Sequence, residues 1–313
     1  MGERHARVYA QLPACTLVGV YDPDLARAAA VAEQYGGSVF SSMDGLLQHV
    51  DAISIVAPTV THAAIATRAL DGGLHMLIEK PMTASLAEAI ALTQRVSAAP
   101  GSVVMVGHIE RFNPVIRELR RHLLGAKVRR VRVRRVAPFD NRCLDTDVVY
   151  DLMIHDIDLV QHLFGSQLAS LDARGSSIVT TSIDQAIVDI TLHGGPKVTM
   201  IASRAAEKRV REIEVVLDGA YVIADLLERT ISVTSSADHS GRCVTESRPV
   251  PSVEPLRAEL QHFLSCIAGR EQPAVDAQAG LRALEWAAEI ESLISRHGAV
   301  TTAVDVQTGV AAS

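Results

Sequence analysis

HMLIEKP, residues His75–Pro81, is an apolar run that ends in an acid, a base and a proline. Nothing polar alternates through Met76, Leu77 and Ile78. A strand of this kind is buried on both faces, as in a parallel sheet with helices on either side. The next segment, SLAEAIALTQRVSAA, reads as a helix whose Ser85 and Glu88 form a capping box. Working outward, the same unit recurs. AISIVAPT (Ala52–Thr59) precedes the helical THAAIATRALDGG. LVGVYD (Leu17–Asp22) precedes DLARAAAVAEQYG, which closes at Gly36, and SVVMVGH (Ser102–His108) supplies a fourth strand. Strands alternating with helices predict a doubly wound α/β Rossmann domain over residues 1–113.

Beyond Asn113 the period changes. A helix near Pro114–Leu124 leads into the alternating VRRVRVRRVAPF, and a second helix spans Val149–Phe164. SIDQAIVDITLHG, PKVTMIAS, REIEVVLDG, AYVIADLL and RTISVTS then read as alternating strands. SSADHSGRCVTESRPVPSVEP reads as polar loop, and helices at Leu256–Ala268 and Ala277–Ser295 close the chain. Residues 114–313 are thus expected to form an α+β domain with a mostly antiparallel open sheet.

A dinucleotide-binding unit opens with a strand and a G-x-G-x-x-G turn before its first helix. Here the helical stretch begins at once after Met1-Gly2. If Gly2 is the last fingerprint glycine, the first strand is missing and an acid is due about 20 residues on. Asp22 stands there, suited to ribose hydroxyls and repellent to a 2′-phosphate, which favours NAD over NADP. The plainer reading is a strand-end acid starting a turn with Pro23. Strand one lies mid-sheet in the usual order, so without it two interior edges lack partners. The expectation is therefore a start upstream of this Met1.

Composition narrows the class. Of 313 residues, 48% are hydrophobic and 21% charged, a globular balance. There is no apolar run long enough to span a bilayer and no signal-peptide pattern, so membrane attachment is not expected and the cytoplasm is the default. The four cysteines have no metal-ligand spacing. A net charge of −6 and 4% aromatic residues argue against nucleic acid.

Several side chains can carry chemistry. Lys80 sits at the carboxyl edge of its strand, where open α/β sheets bind ligands, and can polarise a hydroxyl oxygen. Pro81 invites a cis peptide. The alternative is a solvated strand-end lysine. Asp151 and His155 are four apart on a helix and share a face, so the carboxylate can orient a histidine acting as base. They can equally form a surface hydrogen bond, or His155, Asp158 and His162 can bind a metal in a hydrolase. Thr59 and His62 are placed to reach a nicotinamide, with N-capping at Thr59 or Thr61 as the alternative. The run Lys127–Arg135 is expected to form mostly a solvated face, or else to reach a diphosphate.

Taken together, APT-xx-H, EKP, GHIERFNP (Gly107–Pro114) and the D-x-x-x-H-D-x-D of residues 151–158 resemble the glucose–fructose oxidoreductase, inositol dehydrogenase and MocA (Gfo/Idh/MocA) family, over Met1 to about Ser295. The resemblance implies an NAD-dependent dehydrogenase of sugar CH–OH groups and a homo-oligomer assembled through the C-terminal sheet. Lys80, His155 and Asp151 would be catalytic. Gly2, Asp22, Pro58, Thr59, His62, Glu79 and Lys80 would lie against the cofactor. His108, Arg111 and Asn113 would contact a sugar or nucleotide-sugar substrate, with no metal. GHIERFNP, RRVAPFDNR and VVYDLMIHDIDL are most similar to the branch that oxidises the 3-hydroxyl of UDP-N-acetylglucosamine. The competing expectation is a truncated, inactive relative that binds a sugar nucleotide or a protein.

Overall fold

A computed structural model describes residues 1–140, 146–236, 242–297 and, for the backbone alone, 300–301. The first half runs α1 (Gly2–Ala10), β1 (Gly19–Val20), α2 (Leu25–Tyr35), β2 (Ser38–Val39), α3 (Met43–Leu47), β3 (Ala52–Ile55), α4 (His62–Asp71), β4 (His75–Glu79), α5 (Leu86–Ser97) and β5 (Val104–Gly107). All strand pairs here are parallel. Met76, Leu77 and Ile78 are wholly buried, as the unbroken apolar run requires. Asp24 caps α2, and Ser85 with Glu88 forms the reciprocal box at the start of α5.

The sheet is in two pieces, β2-β1 and β3-β4-β5. Among the described residues β1 and β3 are each paired on one side only. Their separation falls where the usual doubly wound order places its central strand. Val18, Tyr21, Leu25 and Val39, around β1 and β2, are exposed. α2 fully buries only Ala28.

The second half begins with α6 (Pro114–Leu123) and β6 (Val128–Val136). A π-helical turn, Val149–Met153, runs into α7 (Ile154–Phe164). Then come β7 (Leu168–Ser177), β8 (Gln185–Leu192), β9 (Lys197–Ser203), β10 (Val210–Leu217), β11 (Ala220–Asp225), β12 (Thr230–Ser236), β13 (Cys243–Pro249), α8 (Pro255–Ile267), α9 (Ala277–His297) and β14 (Val300–Thr301). The strands form one sheet in the order β13-β12-β11-β10-β6-β9-β8-β7-β14. Its pairs are antiparallel except β6 with β9 and β7 with β14. The inner face is apolar by alternation: Ala186, Val188, Ile190 and Leu192 of β8 are buried while Ile187 is exposed. α9 packs on β7 and the π-wound turn on β9, while α6 packs on β11 and β12. α9 also reaches the first half, where a Cβ on Gly280 would come within 2.8 Å of Val106.

Four expectations change. Cys243–Pro249, expected as loop, is the edge strand β13, and Leu168–Ser177, not anticipated, is β7. Every residue of β13 is exposed, so it has no apolar face and therefore no alternation to read. The helix carrying Asp151 is π-wound over its first turn, with the Ile154 N–H bonded to the Val149 carbonyl. The basic run is not all solvated. Arg135 is only 3% exposed, because it lies in the inner row with Val131 and Val133. On the outer face Arg132 pairs with Glu214, and near the start of the strand Arg129 pairs with Asp218. Asn141 and Arg142, the end of the RRVAPFDNR resemblance, lie outside the described residues.

Candidate active site

β4 delivers Glu79-Lys80-Pro81 to the carboxyl edge of its sheet, and the Lys80–Pro81 peptide is cis. His62, at the start of α4, braces this edge from beneath. Its ring lies 2.9 Å from both the Pro81 and the Ala57 carbonyl oxygens, tying the end of β4 to the end of β3. Expected beside the nicotinamide, His62 is instead buried at 1% exposure under the two loops. Pro58 is exposed, and Thr59 opens the short 3-10 turn Thr59–Thr61, where the Thr61 hydroxyl donates to the Pro58 carbonyl at 2.8 Å.

Glu79 faces inward. Its Oε1 lies 3.0 Å from His5 Nε2, and its Oε2 accepts the Lys80 backbone N–H at 3.2 Å. His5 Nδ1 in turn sits 3.2 Å from Ser54 Oγ, which also bonds the Tyr9 hydroxyl at 2.8 Å. Gly107 leaves room for this carboxylate, since a Cβ there would sit 3.1 Å from it. Burial works to raise the Glu79 pKa, but the hydrogen bond and charge of His5, with the N–H and charge of Lys80, hold it below the usual value. This chain fixes the first turns of α1 over β3 and β4.

The Lys80 ammonium crosses to the second half. It donates to the Asp151 carbonyl at 2.8 Å and approaches Asp151 Oδ1 at 3.5 Å. The acceptor belongs to the π-wound turn, so the irregular backbone helps to aim the lysine. His155 follows one turn later, half-buried, with its Nδ1 enclosed and unpartnered among the described residues. Burial lowers its pKa well below the ordinary value, and the charges of Lys80, Arg135 and nearby His108 and Arg211 lower it further. A neutral imidazole beside an ammonium is a proton acceptor beside a polarising cation. His108, at the end of β5, is 1% exposed with an unpartnered Nδ1, and burial lowers its pKa too.

Behind this surface lie groups that sequence reasoning did not find. Arg135 Nε donates to Asp156 at 2.8 Å and its Nη1 to Glu110 at 3.0 Å, while Arg211 Nη1 reaches Glu110 at 3.5 Å. Burial lifts the Asp156 pKa to about 6 despite Arg135. The equal parity of Val131, Val133 and Arg135 was the available signal. Arg111 and Asn113, expected to touch substrate, are engaged inside the protein. Arg111 forks onto the fully buried Asp158 at 2.6 to 3.1 Å and donates to the Ala274 carbonyl. Asn113 caps α6 through the Val115 N–H and donates to Glu110. With Asp158 committed to Arg111, no three His, Cys, Asp or Glu side chains converge as a metal site among the described residues.

The remaining candidates line the same carboxyl edge. Gly2 is the first residue of α1, whose N-terminus has no side-chain cap; the Arg4 and His5 N–H groups bond the Met1 carbonyl, which leaves those of Gly2 and Glu3 to face an anion. Asp22 follows β1, its oxygens accepting from the Asp24 N–H at 2.9 Å and from Arg27 at 3.3 Å. An acid, open helix N–H groups and a lysine on successive elements fit the ribose, diphosphate and nicotinamide of a dinucleotide.

Residues 1–108 match the oxidoreductase family with an NAD-binding Rossmann fold, and residues 121–222 match the GFO/IDH/MocA C-terminal domain. The chain belongs to the Gfo/Idh/MocA oxidoreductase family. Its members include UDP-N-acetylglucosamine 3-dehydrogenase of Acidithiobacillus ferrooxidans, 36% identical over 298 residues and 93% of each chain. A solved structure of that enzyme superposes with a TM-score of 0.87 at 35% identity over 95% of each chain. The scyllo-inositol 2-dehydrogenase (NAD(+)) of Bacillus subtilis is 26% identical over 88% of this chain and 85% of its own. As a Gfo/Idh/MocA member the chain is an NAD-binding oxidoreductase. No helix among the described residues is long and apolar enough to cross a membrane.

Proposed function

We propose that this family member oxidises a sugar CH–OH group of a nucleotide-linked sugar, at C3 of UDP-N-acetylglucosamine, with NAD as hydride acceptor. The reading is carried by the Lys80 ammonium on the Asp151 carbonyl, beside a His155 whose pKa is depressed. The identity to the Acidithiobacillus enzyme supplies the choice of substrate. NAD, when bound, supplies the hydride acceptor, and the chain's own groups do the rest. Lys80 polarises the substrate oxygen and stabilises developing negative charge on it. His155, neutral near pH 7, takes the hydroxyl proton. Asp151 holds Lys80 in place, and Asp22 binds the adenosine ribose. His108 borders the substrate, whereas Arg111 and Asn113 hold the wall behind it.

The test is NADH formation with UDP-N-acetylglucosamine, free N-acetylglucosamine and inositols at equal concentration. A clear preference in kcat/KM for the nucleotide sugar is expected. Turnover of an inositol with none of the nucleotide sugar would refute the substrate assignment and leave the oxidoreductase class standing.

A further inference from the structure

β6 and β10 are antiparallel neighbours in which Arg135 stands opposite Arg211, so both guanidinium groups rise from the inner face of the sheet. They differ in what they meet. Arg135 is closed between Asp156 and Glu110. Arg211 is half-buried, 34% exposed in its side chain, and its one bond among the described residues is the long 3.5 Å contact to Glu110. Most of its N–H donors are therefore uncommitted, in a place where burial and Arg135 both work against its charge. Arg211 is also near enough to His155 for its charge to lower that histidine's pKa. Two residues earlier, the exposed Arg209 lines a cavity of about 510 Å³ with Pro138, Phe139 and Asp140. That cavity opens where the chain leaves β6, the Ala137 N–H being bonded to the last carbonyl of β9 at Ser203.

A row of guanidinium groups thus leads from His155 outward, from closed Arg135 to half-open Arg211 to exposed Arg209. We propose that Arg211 and Arg209 form an anion subsite that binds the diphosphate of a nucleotide-linked substrate, with Pro138 and Phe139 as the apolar wall of the adjoining cavity. This rests on the nucleotide-sugar reading and adds the residues that would select for it. Planar guanidinium forks suit phosphate oxygens, and a site with more donors than internal acceptors lacks an anion. Three of the β6 arginines expected from sequence to reach a diphosphate are already engaged, Arg129 with Asp218, Arg132 with Glu214 and Arg135 with Glu110 and Asp156.

The probe is UDP, titrated by calorimetry into the intact protein without NAD, at low and high salt. Wild-type binding that weakens with salt is expected. Arg211→Met should weaken UDP about tenfold or more, with Arg211→Lys intermediate because the charge remains while the fork is lost. Arg209→Ala, at an exposed position that carries no risk to folding, should weaken it in the same direction. NAD affinity should be unchanged in all three variants, and the loss with UDP-N-acetylglucosamine should appear in KM more than in kcat. Wild-type UDP binding that survives both Arg211→Met and Arg209→Ala would overturn the subsite while sparing the nucleotide-sugar reading. No UDP binding by wild type, together with turnover of an uncharged sugar, would overturn both.

Discussion

Glu259, in α8, is wholly buried, and neither carboxyl oxygen has a partner among the described residues. Burial raises its pKa well above the ordinary value, and the nearby carboxylates of Glu79 and Asp158 raise it further. It therefore holds its proton to a higher pH in the folded state than in the unfolded chain. An unpartnered neutral carboxyl costs about 1–3 kcal/mol of stability. The folded state also binds one more proton than the unfolded state between the unfolded pKa, near 4.5, and the raised folded one. Across that window Glu259's contribution to stability falls as pH rises, by up to about 1.4 kcal/mol per pH unit, and levels off once the folded pKa is passed. Glu259→Met, of similar volume and without polar atoms, should stabilise the protein by about 1–3 kcal/mol at pH near 5 and by more near pH 8. Glu259→Gln should match wild type near pH 5, because its amide also lacks partners, and exceed it increasingly toward about pH 8. Urea unfolding of the three proteins across this range gives the differences directly, and subtracting the variant curve removes the opposite slopes contributed by buried histidines. Parallel wild-type and Gln curves, or a Met variant less stable than wild type at every pH, would refute the reasoning.

Other outcomes follow from the site. Lys80→Met should lower kcat about 100- to 1,000-fold while leaving NAD affinity intact, as read by NADH formation and calorimetry. Unchanged turnover would remove Lys80 from the chemistry. Because the His155 pKa lies well below 6.5, kcat/KM should stay level as pH falls through that value, with the acid limb below it. An acid limb centred at or above 6.5 would assign the proton to another group. Arg111→Ala leaves the fully buried Asp158 without its fork and should cost about 3–5 kcal/mol in chemical denaturation. Arg111→Met with Asp158→Leu should restore much of that, and a double variant as unstable as the single one would contradict the pairing argument.

Much of this architecture is written in the chain because burial leaves a period. The unbroken apolar β4, the capping box at Ser85 and the alternating β8 each announce themselves, and EKP carries its lysine to a sheet edge by topology alone. Other features leave no such trace. β13 is exposed on both faces, so nothing in its composition separates it from a loop. The π-wound turn shifts Asp151 out of the register that an i, i+4 spacing assumes, yet it is the carbonyl exposed there that receives Lys80. Arg111 looked like a substrate ligand because an arginine near a site has free donors in sequence. Asp158, 47 residues away, takes them in the fold. Glu259 gave no local signal, since its environment comes from α1, β4 and α7 together.

Lys80 leaves β4 in the first half of the chain, and the carbonyl that receives it belongs to the π-wound turn of the second. α9 reaches across to the first half, where Gly280 faces Val106 with no room for a further carbon. The aim of the ammonium is therefore set by the seam between the halves as much as by either half alone. A wedge at Gly280, remote from the lysine, would misalign it without touching it.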